Sequence, residues 1–296
     1  MLPRMRISLW IPEGICNTLK SIIDYIKSMS SSLERNKVVF STANIPQLNS
    51  PILICGFPGS GYVGKIAIDH LIQELNASHL ADIYSGSFPP QIMIRGDGIA
   101  ELMKNTIFYS KTSATPGSNN DMLLLTGDSQ PENPNSAYFL SDQIIDIATK
   151  FNTTKIITLA AYVTGTFVDK PRIFGTATDS NIVSTFKEKN ILTMDSGTIA
   201  GMNGLIIGVG KLRGLQGTCL LVETSGYVVD AKASKIILES LLSILGLTVN
   251  MNNLEKKARD TEALIQTIQQ QAAEKVSENQ QPPGVLRKPV NTGYIS

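Results

Sequence analysis

Short apolar runs recur along this chain, and amphipathic segments with helical spacing separate them. A strand that is apolar throughout is buried on both faces, as in a parallel sheet covered by helices. The runs of this kind are Ile52–Cys55, Met122–Leu125, Ile156–Leu159 and Thr218–Glu223. The predicted helices are Lys65–Leu75, Ala137–Lys150, Asn181–Lys189, Gly204–Lys211 and Ala231–Leu245. The sequence therefore predicts a three-layer α/β/α domain over residues 45–250, with a mostly parallel and partly mixed sheet.

The mixed part of the sheet is expected early in the domain. Residues 83–94 have an extended pattern, but Pro89 and Pro90 lie inside it and lack backbone N–H donors. Such a segment forms an edge strand or breaks into two. We expect Thr106–Lys111 to be its hairpin partner.

Both ends of the chain differ from the domain. Residues 1–36 are predicted to be an extension with an amphipathic helix that packs on the domain, a partner or a membrane surface. A later start, at Met5 or Met29, is the alternative interpretation. Residues 251–276 are predicted to form a second amphipathic helix that pairs with itself or lies on the domain. Residues 277–296 are rich in Gln, Pro and Asn, and we expect a disordered tail.

Composition excludes several classes of function. Hydrophobic residues make up 42% and charged residues 17%, which favours a large core and a buried oligomer face. The formal net charge of +1 argues against nucleic acid and anionic membranes as partners. No apolar run reaches the roughly 18–20 residues of a membrane helix, and Pro12 and Glu13 interrupt any signal core. We therefore expect a cytoplasmic protein without a membrane anchor.

Cysteine and histidine are too few for most metal and nucleophilic sites. The three cysteines, Cys16, Cys55 and Cys219, contain no Cys-x-x-Cys pair and indicate buried, reduced thiols. The two histidines, His70 and His79, disfavour a metal site and a Ser-His-Asp triad. We therefore predict no metal.

A glycine loop follows the first apolar strand. Gly59, Gly61 and Gly64 fit the dinucleotide-binding fingerprint, and Gly59 to Lys65 has the spacing of a P-loop. One interpretation is phosphate binding at a helix N-terminus, with Lys65 adding a positive charge. The other is a sharp turn between a strand and a closely packed helix.

Three observations favour the turn. Ile66 stands where a P-loop needs a hydroxyl for magnesium, and Pro58 stiffens the approach to the glycines. A ribose-binding acidic residue at the end of a second strand is also missing, because the nearest candidate, Asp82, precedes its predicted strand. The sequence therefore predicts no cofactor.

Acidic residues follow several predicted strands, where α/β enzymes place functional groups. They are Asp128, Asp179, Asp195, Glu223 and Asp230. Acidic residues at such positions also form turns and helix N-caps. No pair has a spacing that fixes a general acid and base, and Ser60 lacks the Gly-x-Ser-x-Gly context. We therefore predict no catalytic residue.

Five blocks of sequence carry a resemblance to a known family. They are Gly56–Lys65, Leu123–Pro131, Phe174–Asp179, Gly197–Gly204, and Leu220–Tyr227 followed by Asp230. Together they resemble the archaeal proteasome assembly chaperone family over about residues 45–255. The resemblance implies a fold like that of the nucleoside phosphorylases, homo-oligomers, and an ATP-independent, non-catalytic role with proteasome α-subunits as partners. Because some names for such proteins say ATP-grasp or carboligase, the alternative is a nucleotide- or nucleoside-binding enzyme that uses Gly59, Gly61, Gly64 and Lys65.

The family resemblance also directs attention to the C-terminal tail. Proteasome activators and some of these chaperones end in a hydrophobic residue, Tyr and any residue, which dock between α-subunits. This chain ends in Gly293-Tyr294-Ile295-Ser296, so its Tyr is third from the end and one position off. That offset moves the ring by roughly 3.3–3.6 Å relative to the terminal carboxylate. Tyr294, Ile295 and Ser296 are the predicted partner-binding residues, and the alternative is that they are part of a disordered end.

Overall fold

The computed structural model describes residues 36–41, 45–96, 98–111 and 121–279. The predicted N-terminal amphipathic helix and the tail residues 280–296 lie outside these ranges. Eleven strands are found in the described part of the chain. They are β1 (Lys37–Phe40), β2 (Ile52–Gly56), β3 (Ser78–Tyr84), β4 (Ile92–Ile94), β5 (Ala100–Leu102), β6 (Asn105–Ser110), β7 (Met122–Gly127), β8 (Lys155–Val163), β9 (Ile173–Ala177), β10 (Leu192–Thr193) and β11 (Gln216–Thr224).

Six α-helices accompany these strands in the same described ranges. They are α1 (Val63–Glu74), α2 (Pro134–Lys150), α3 (Ser180–Thr185), α4 (Met202–Leu212), α5 (Ala231–Leu245) and α6 (Asn252–Asn279). Helix α5 has the predicted bounds, because Asp230 caps its start and Gly246, with φ +67°, ends it in the left-handed conformation. Helix α6 continues past the predicted end at residue 276.

Nine strands form one sheet in the order β1-β3-β6-β7-β2-β8-β11-β9-β10. The central strands β7, β2, β8 and β11 are parallel to one another. On one side β6, β3 and β1 continue the sheet with antiparallel pairings, and on the other β9 is antiparallel to β11. The predicted α/β class with a mixed sheet is confirmed, but parallel pairing dominates only the centre.

Alternate residues of the central strands point into two separate cores. Leu53 and Cys55 of β2 face the core under α2 and α4, whereas Ile52 and Ile54 face the core under α1 and α5. This arrangement confirms the three predicted layers. Helix α6 packs outside α5 and buries Leu254, Ala258 and Thr261, so it lies on the domain.

The sheet contains strands that the sequence did not indicate. Strand β1 pairs with β3 at the sheet edge, upstream of the predicted start at residue 45. The Pro89-Pro90 segment separates β3 from β4, as predicted, and β6 pairs antiparallel with β3. Asp82, expected before its strand, lies inside β3, which starts earlier, at Ser78.

Candidate functional site

The glycine loop connects β2 to α1 at the carboxyl end of the central strands. Ser60–Tyr62 forms a single 3-10 turn, closed by a 2.9 Å hydrogen bond from the Tyr62 N–H to the Gly59 carbonyl oxygen. Gly61 has φ +64°, which is unfavourable for any residue with a Cβ atom. The loop is therefore a sharp, locally hydrogen-bonded turn.

Two glycines allow α1 to approach the sheet more closely than any side chain would permit. A Cβ atom on Gly56 would lie 2.2 Å from the carbonyl oxygen of Gly64. A Cβ atom on Gly64 would in turn lie 2.1 Å from the carbonyl oxygen of Leu159 in β8. Because these contacts are with backbone atoms, a side chain at either position forces the helix off the sheet. These glycines serve packing between α1, β2 and β8.

The positive charge of Lys65 is used within the domain. Its Nζ atom lies 2.9 Å from Asp69 Oδ2 and donates to the hydroxyl of Thr126 at 3.3 Å. Thr126 also donates to Asp69 Oδ1 at 2.6 Å. Lys65 therefore forms an ion pair with Asp69, which lies one helical turn further along α1, and this pair partly neutralises its charge.

Three of the strand-end carboxylates have hydrogen-bond or ion-pair partners within the domain. Asp179 accepts a 2.8 Å hydrogen bond from the Asn181 N–H at the start of α3. Asp230 accepts one of 2.9 Å from the Ala233 N–H at the start of α5, and a second, from the Thr224 hydroxyl, at 2.7 Å. Asp128 binds Arg95 Nη2 at 3.0 Å. They are helix caps and ion-pair partners, while Asp195 is exposed.

Glu223 and Asp82 are buried carboxylates with cationic partners. Glu223 accepts hydrogen bonds from the side chain and the backbone N–H of Arg172, and these lower its pKa against the opposing effect of burial. Burial would raise the pKa of Asp82, but hydrogen bonds from Lys104, Thr106 and His79 together lower it. Both carboxylates therefore favour the ionised form and tie neighbouring strands together.

A cleft of about 610 Å³ opens beside Gly59 and Ser60, between the carboxyl ends of the strands and the start of α4. Gln130 spans its wall, donating through Nε2 to the Pro58 carbonyl at 2.6 Å and accepting through Oε1 from the Met202 N–H at 2.8 Å. The buried Asn203 also lines the cleft, and its Oδ1 atom has no hydrogen-bond partner. Among the described residues, no Asp, Glu, Lys, Arg, His or Cys lines this cleft.

The two buried thiols and the acidic side chains form no metal site in the described ranges. Cys55 and Cys219 are buried, and burial raises the pKa of both thiols, that of Cys219 to about 12. Across the described residues, no three His, Cys, Asp or Glu side chains are grouped to hold a metal ion. No helix in these ranges is long and apolar enough to span a membrane.

The outer side of helices α2 and α4 is apolar. We call Tyr138 of α2 with Leu205, Val209 and Leu212 of α4 the α2–α4 surface; these residues line a groove of about 660 Å³. The side chain of Leu212 is 87% exposed. Arg213 lies at the border and pairs with Asp142 at 2.6 Å and Asp146 at 3.0 Å. An apolar centre with a charged border is the usual composition of a protein interface.

The fold and the packed strand ends define an α/β/α protein with apolar external surfaces. The chain belongs to the PAC2 family, because the family model matches residues 53–269. This confirms the resemblance to the archaeal proteasome assembly chaperone family.

Two relatives from Pyrococcus furiosus have solved structures. One is PbaB, described as an archaeal proteasome activator, with 35% identity and a TM-score of 0.73 over 79% of this chain and 98% of that chain. Another is PbaA, described as an archaeal homolog of proteasome-assembly chaperone, with 25% identity and a TM-score of 0.63 over 81% of this chain and 99% of that one. The uncharacterized protein MJ1210 of Methanocaldococcus jannaschii is 31% identical over 241 residues, which are 81% of this chain and 91% of the relative.

Proposed function

We propose that this chain is a non-catalytic, ATP-independent partner of the proteasome that binds α-subunits and assembles with copies of itself. The likeness to PbaB carries the proposal, because it extends over 98% of that chain at 35% identity. PbaB is described as a proteasome activator and PbaA as a homolog of proteasome-assembly chaperone. We expect the protein to act in the cytoplasm.

The composition of the strand-end cleft supports a role without catalysis. General acid–base chemistry needs a titratable side chain within hydrogen-bond reach of the substrate. Among the described residues that line the cleft, Tyr162 carries the one titratable side chain, and its ring stacks on Phe174 with 4.9 Å between ring centroids. Asp230 caps α5, and Asp179 caps α3 at the opposite end of the sheet, where Ala177 pairs with Thr218 near the start of β11.

The α2–α4 surface is our candidate for self-association. Tyr138 and Leu212 are exposed in the single chain, while Leu205 and Val209 are half-buried. Packing this surface against a second copy would remove apolar area from water. The ion pairs of Arg213 with Asp142 and Asp146 would remain at the border of such an interface.

The C-terminal residues Tyr294, Ile295 and Ser296 are our candidate for α-subunit binding. They lie outside the described residues, so this assignment rests on the sequence. A terminal aromatic residue and carboxylate on an extended segment form a common type of binding peptide.

Co-purification with purified proteasome α-subunits tests the proposal. We expect the full chain to retain α-subunits in the absence of nucleotide, and Tyr294→Ala to weaken retention at least about tenfold. Asn291→Ala, a change in the same tail, is the matched control and should bind like the unaltered chain. Equal binding by Tyr294→Ala would refute the role of the tail, and no association with α-subunits would refute the proposed function.

A further inference from the structure

The β4–β5 hairpin stands outside the nine-stranded sheet and has two different faces. Ile92 pairs with Leu102 and Ile94 with Ala100, so all four side chains share one face. We call these four residues the hairpin surface. Ile94 is 72% and Leu102 63% exposed. The hairpin therefore turns an apolar face toward solvent.

The opposite face of the hairpin is held by charges. Arg95 binds Glu101 at 3.2 Å and Asp128, at the end of β7, at 3.0 Å. Lys104 lies 3.6 Å from Glu101 and 3.0 Å from Asp82 in β3. These ion pairs attach the charged face of the hairpin to β3 and to Asp128, and the apolar face is the one left exposed. A two-stranded ribbon is marginally stable by itself, and a cover over that face would stabilise it.

A groove of about 660 Å³ lies beside the hairpin surface. Ile92 and Leu102 line it together with Tyr84, Phe88 and the two prolines at 89 and 90. The groove is mainly apolar and aromatic, which suits an apolar helix face better than a charged ligand.

The N-terminal part of the chain enters the fold at this groove. Lys37, the first residue of β1, pairs with Tyr84, and Tyr84 lines the groove. Residues 30–36 connect β1 to the amphipathic segment 15–29. Seven extended residues reach up to about 23 Å, so the segment can lie over the hairpin without any rearrangement of the sheet.

The segment 15–29 has an apolar stripe that could cover the hairpin surface. Its apolar residues follow helical spacing on one stripe. They are Ile15, Leu19, Ile22, Ile23, Ile26 and Met29. As a helix the segment would be about 22 Å long, with Lys20, Asp24 and Lys27 on its other side.

We propose that residues 15–29 form a helix that docks its apolar stripe on the hairpin surface of the same chain. This inference does not depend on the proposed function, because it concerns how the chain covers its own hairpin. The segment is a built-in partner for an apolar face that no described residue covers.

Cysteine crosslinking in the full chain tests the docking. Cys16 lies within the segment, while Cys55 and Cys219 are buried in the cores and protected from reagents. In a Leu102→Cys variant, a short bismaleimide should join Cys16 to the new thiol within one chain, giving a compact monomer band and a crosslinked peptide. Leu212→Cys, which places a thiol on the α2–α4 surface, is the control and should give no such product.

The crosslinking result can overturn the proposal in three ways. No product with Leu102→Cys, or equal products with both variants, would show that the segment does not lie on the hairpin surface. A band of dimer size whose crosslinked peptide joins Cys16 to position 102 would place the segment on a second copy and contradict docking within one chain.

Hydrogen exchange gives an independent readout. In the full chain, Ile22→Asp with Ile26→Asp should raise the exchange rates of amides in 92–94 and 100–102 by about tenfold, because the cover is lost. Asn17→Asp with Ser28→Asp adds the same charge on the polar side and should leave those rates unchanged. Identical exchange in all three chains would contradict the proposal.

Discussion

The glycine loop and the β4–β5 hairpin differ in how well a sequence motif indicates an exposed surface. The glycine loop has a conspicuous motif, yet Gly56 and Gly64 pack against backbone and Lys65 pairs with Asp69. The hairpin has no motif, yet it turns Ile94 and Leu102 toward solvent. The difference teaches that in this fold the glycine motif reflects close packing, whereas the surfaces that we propose for interactions consist of apolar residues at exposed positions.

The largest expected change in stability comes from a substitution in the glycine loop. Gly64→Ala would place a Cβ atom 2.1 Å from the Leu159 carbonyl oxygen, so α1 must move away from the sheet. We expect a loss of about 3 kcal/mol, at the upper end for overpacking, in the free energy of unfolding measured with urea. Gly59→Ala is the control within the same loop, because its Cβ would be 4.0 Å from the nearest atom, and it should cost well under about 1 kcal/mol. If Gly64→Ala and Gly59→Ala were equally stable, the packing role that we assign to Gly64 would be wrong.

A smaller effect is expected at the buried carboxylate of β11. Glu223→Gln removes the ion pair with Arg172, and we expect about 1–2 kcal/mol of destabilisation at pH 7, since the exposed Arg172 remains hydrated. The folded state lowers the pKa of Glu223, so its contribution is present above the unfolded pKa of about 4.3 and is lost as pH falls through the lower folded value. The difference between the two proteins should therefore shrink below about pH 4.

Asp195→Asn provides the control for that pH dependence. Asp195 is an exposed carboxylate, so its neutralisation should leave the unfolding curve nearly unchanged at every pH. A Glu223→Gln difference that stayed constant down to pH 3 would contradict the assignment of the acid-sensitive stability to the Glu223–Arg172 pair.

The next effect concerns association rather than folding. Leu212→Asp would place a charge on the most exposed leucine of the α2–α4 surface, and we expect the dissociation constant of the proposed homo-oligomer to rise at least about tenfold, or about 1.4 kcal/mol. Sedimentation equilibrium measures this change. Ile94→Asp on the hairpin surface should leave the oligomer unchanged, because we assign that face to the N-terminal segment. If Ile94→Asp weakened the oligomer and Leu212→Asp did not, the hairpin surface and not the α2–α4 surface would be the self-association interface.

The smallest expected effect is that of nucleotides on stability. A bound ligand at 100 times its dissociation constant would raise the free energy of unfolding by about 2.7 kcal/mol. We expect no shift in Tm with ATP, NAD or nucleosides, with or without magnesium, because Lys65 is paired with Asp69. A shift that Lys65→Ala abolishes would favour the alternative, a nucleotide-binding enzyme.

Local signals in the sequence predicted part of this fold well. Helix α5 was bounded correctly because Asp230 and Gly246 act on neighbouring backbone groups. The break at Pro89-Pro90 was also predictable, because proline lacks a donor whatever surrounds it. In contrast, β1 has two exposed and two half-buried residues and is defined by its pairing with β3, which no local sequence pattern indicates.

The site was harder to predict than the fold. The spacing of Lys65 and Asp69, four residues apart, was visible in the sequence and could have indicated their ion pair. Gln130 joins Pro58 and Met202, each 72 residues away, so its role depends on the tertiary structure. The hairpin surface arises from strands of three residues, which are too short for a reliable alternation signal.

The affinity of the full chain for purified proteasome α-subunits, measured with and without ATP and magnesium, tests the central claim most directly. If this protein acts through its surfaces and not through chemistry at the glycine loop, the two dissociation constants will be equal. The absence of binding, or binding that requires ATP and is abolished by Lys65→Ala, would contradict that claim.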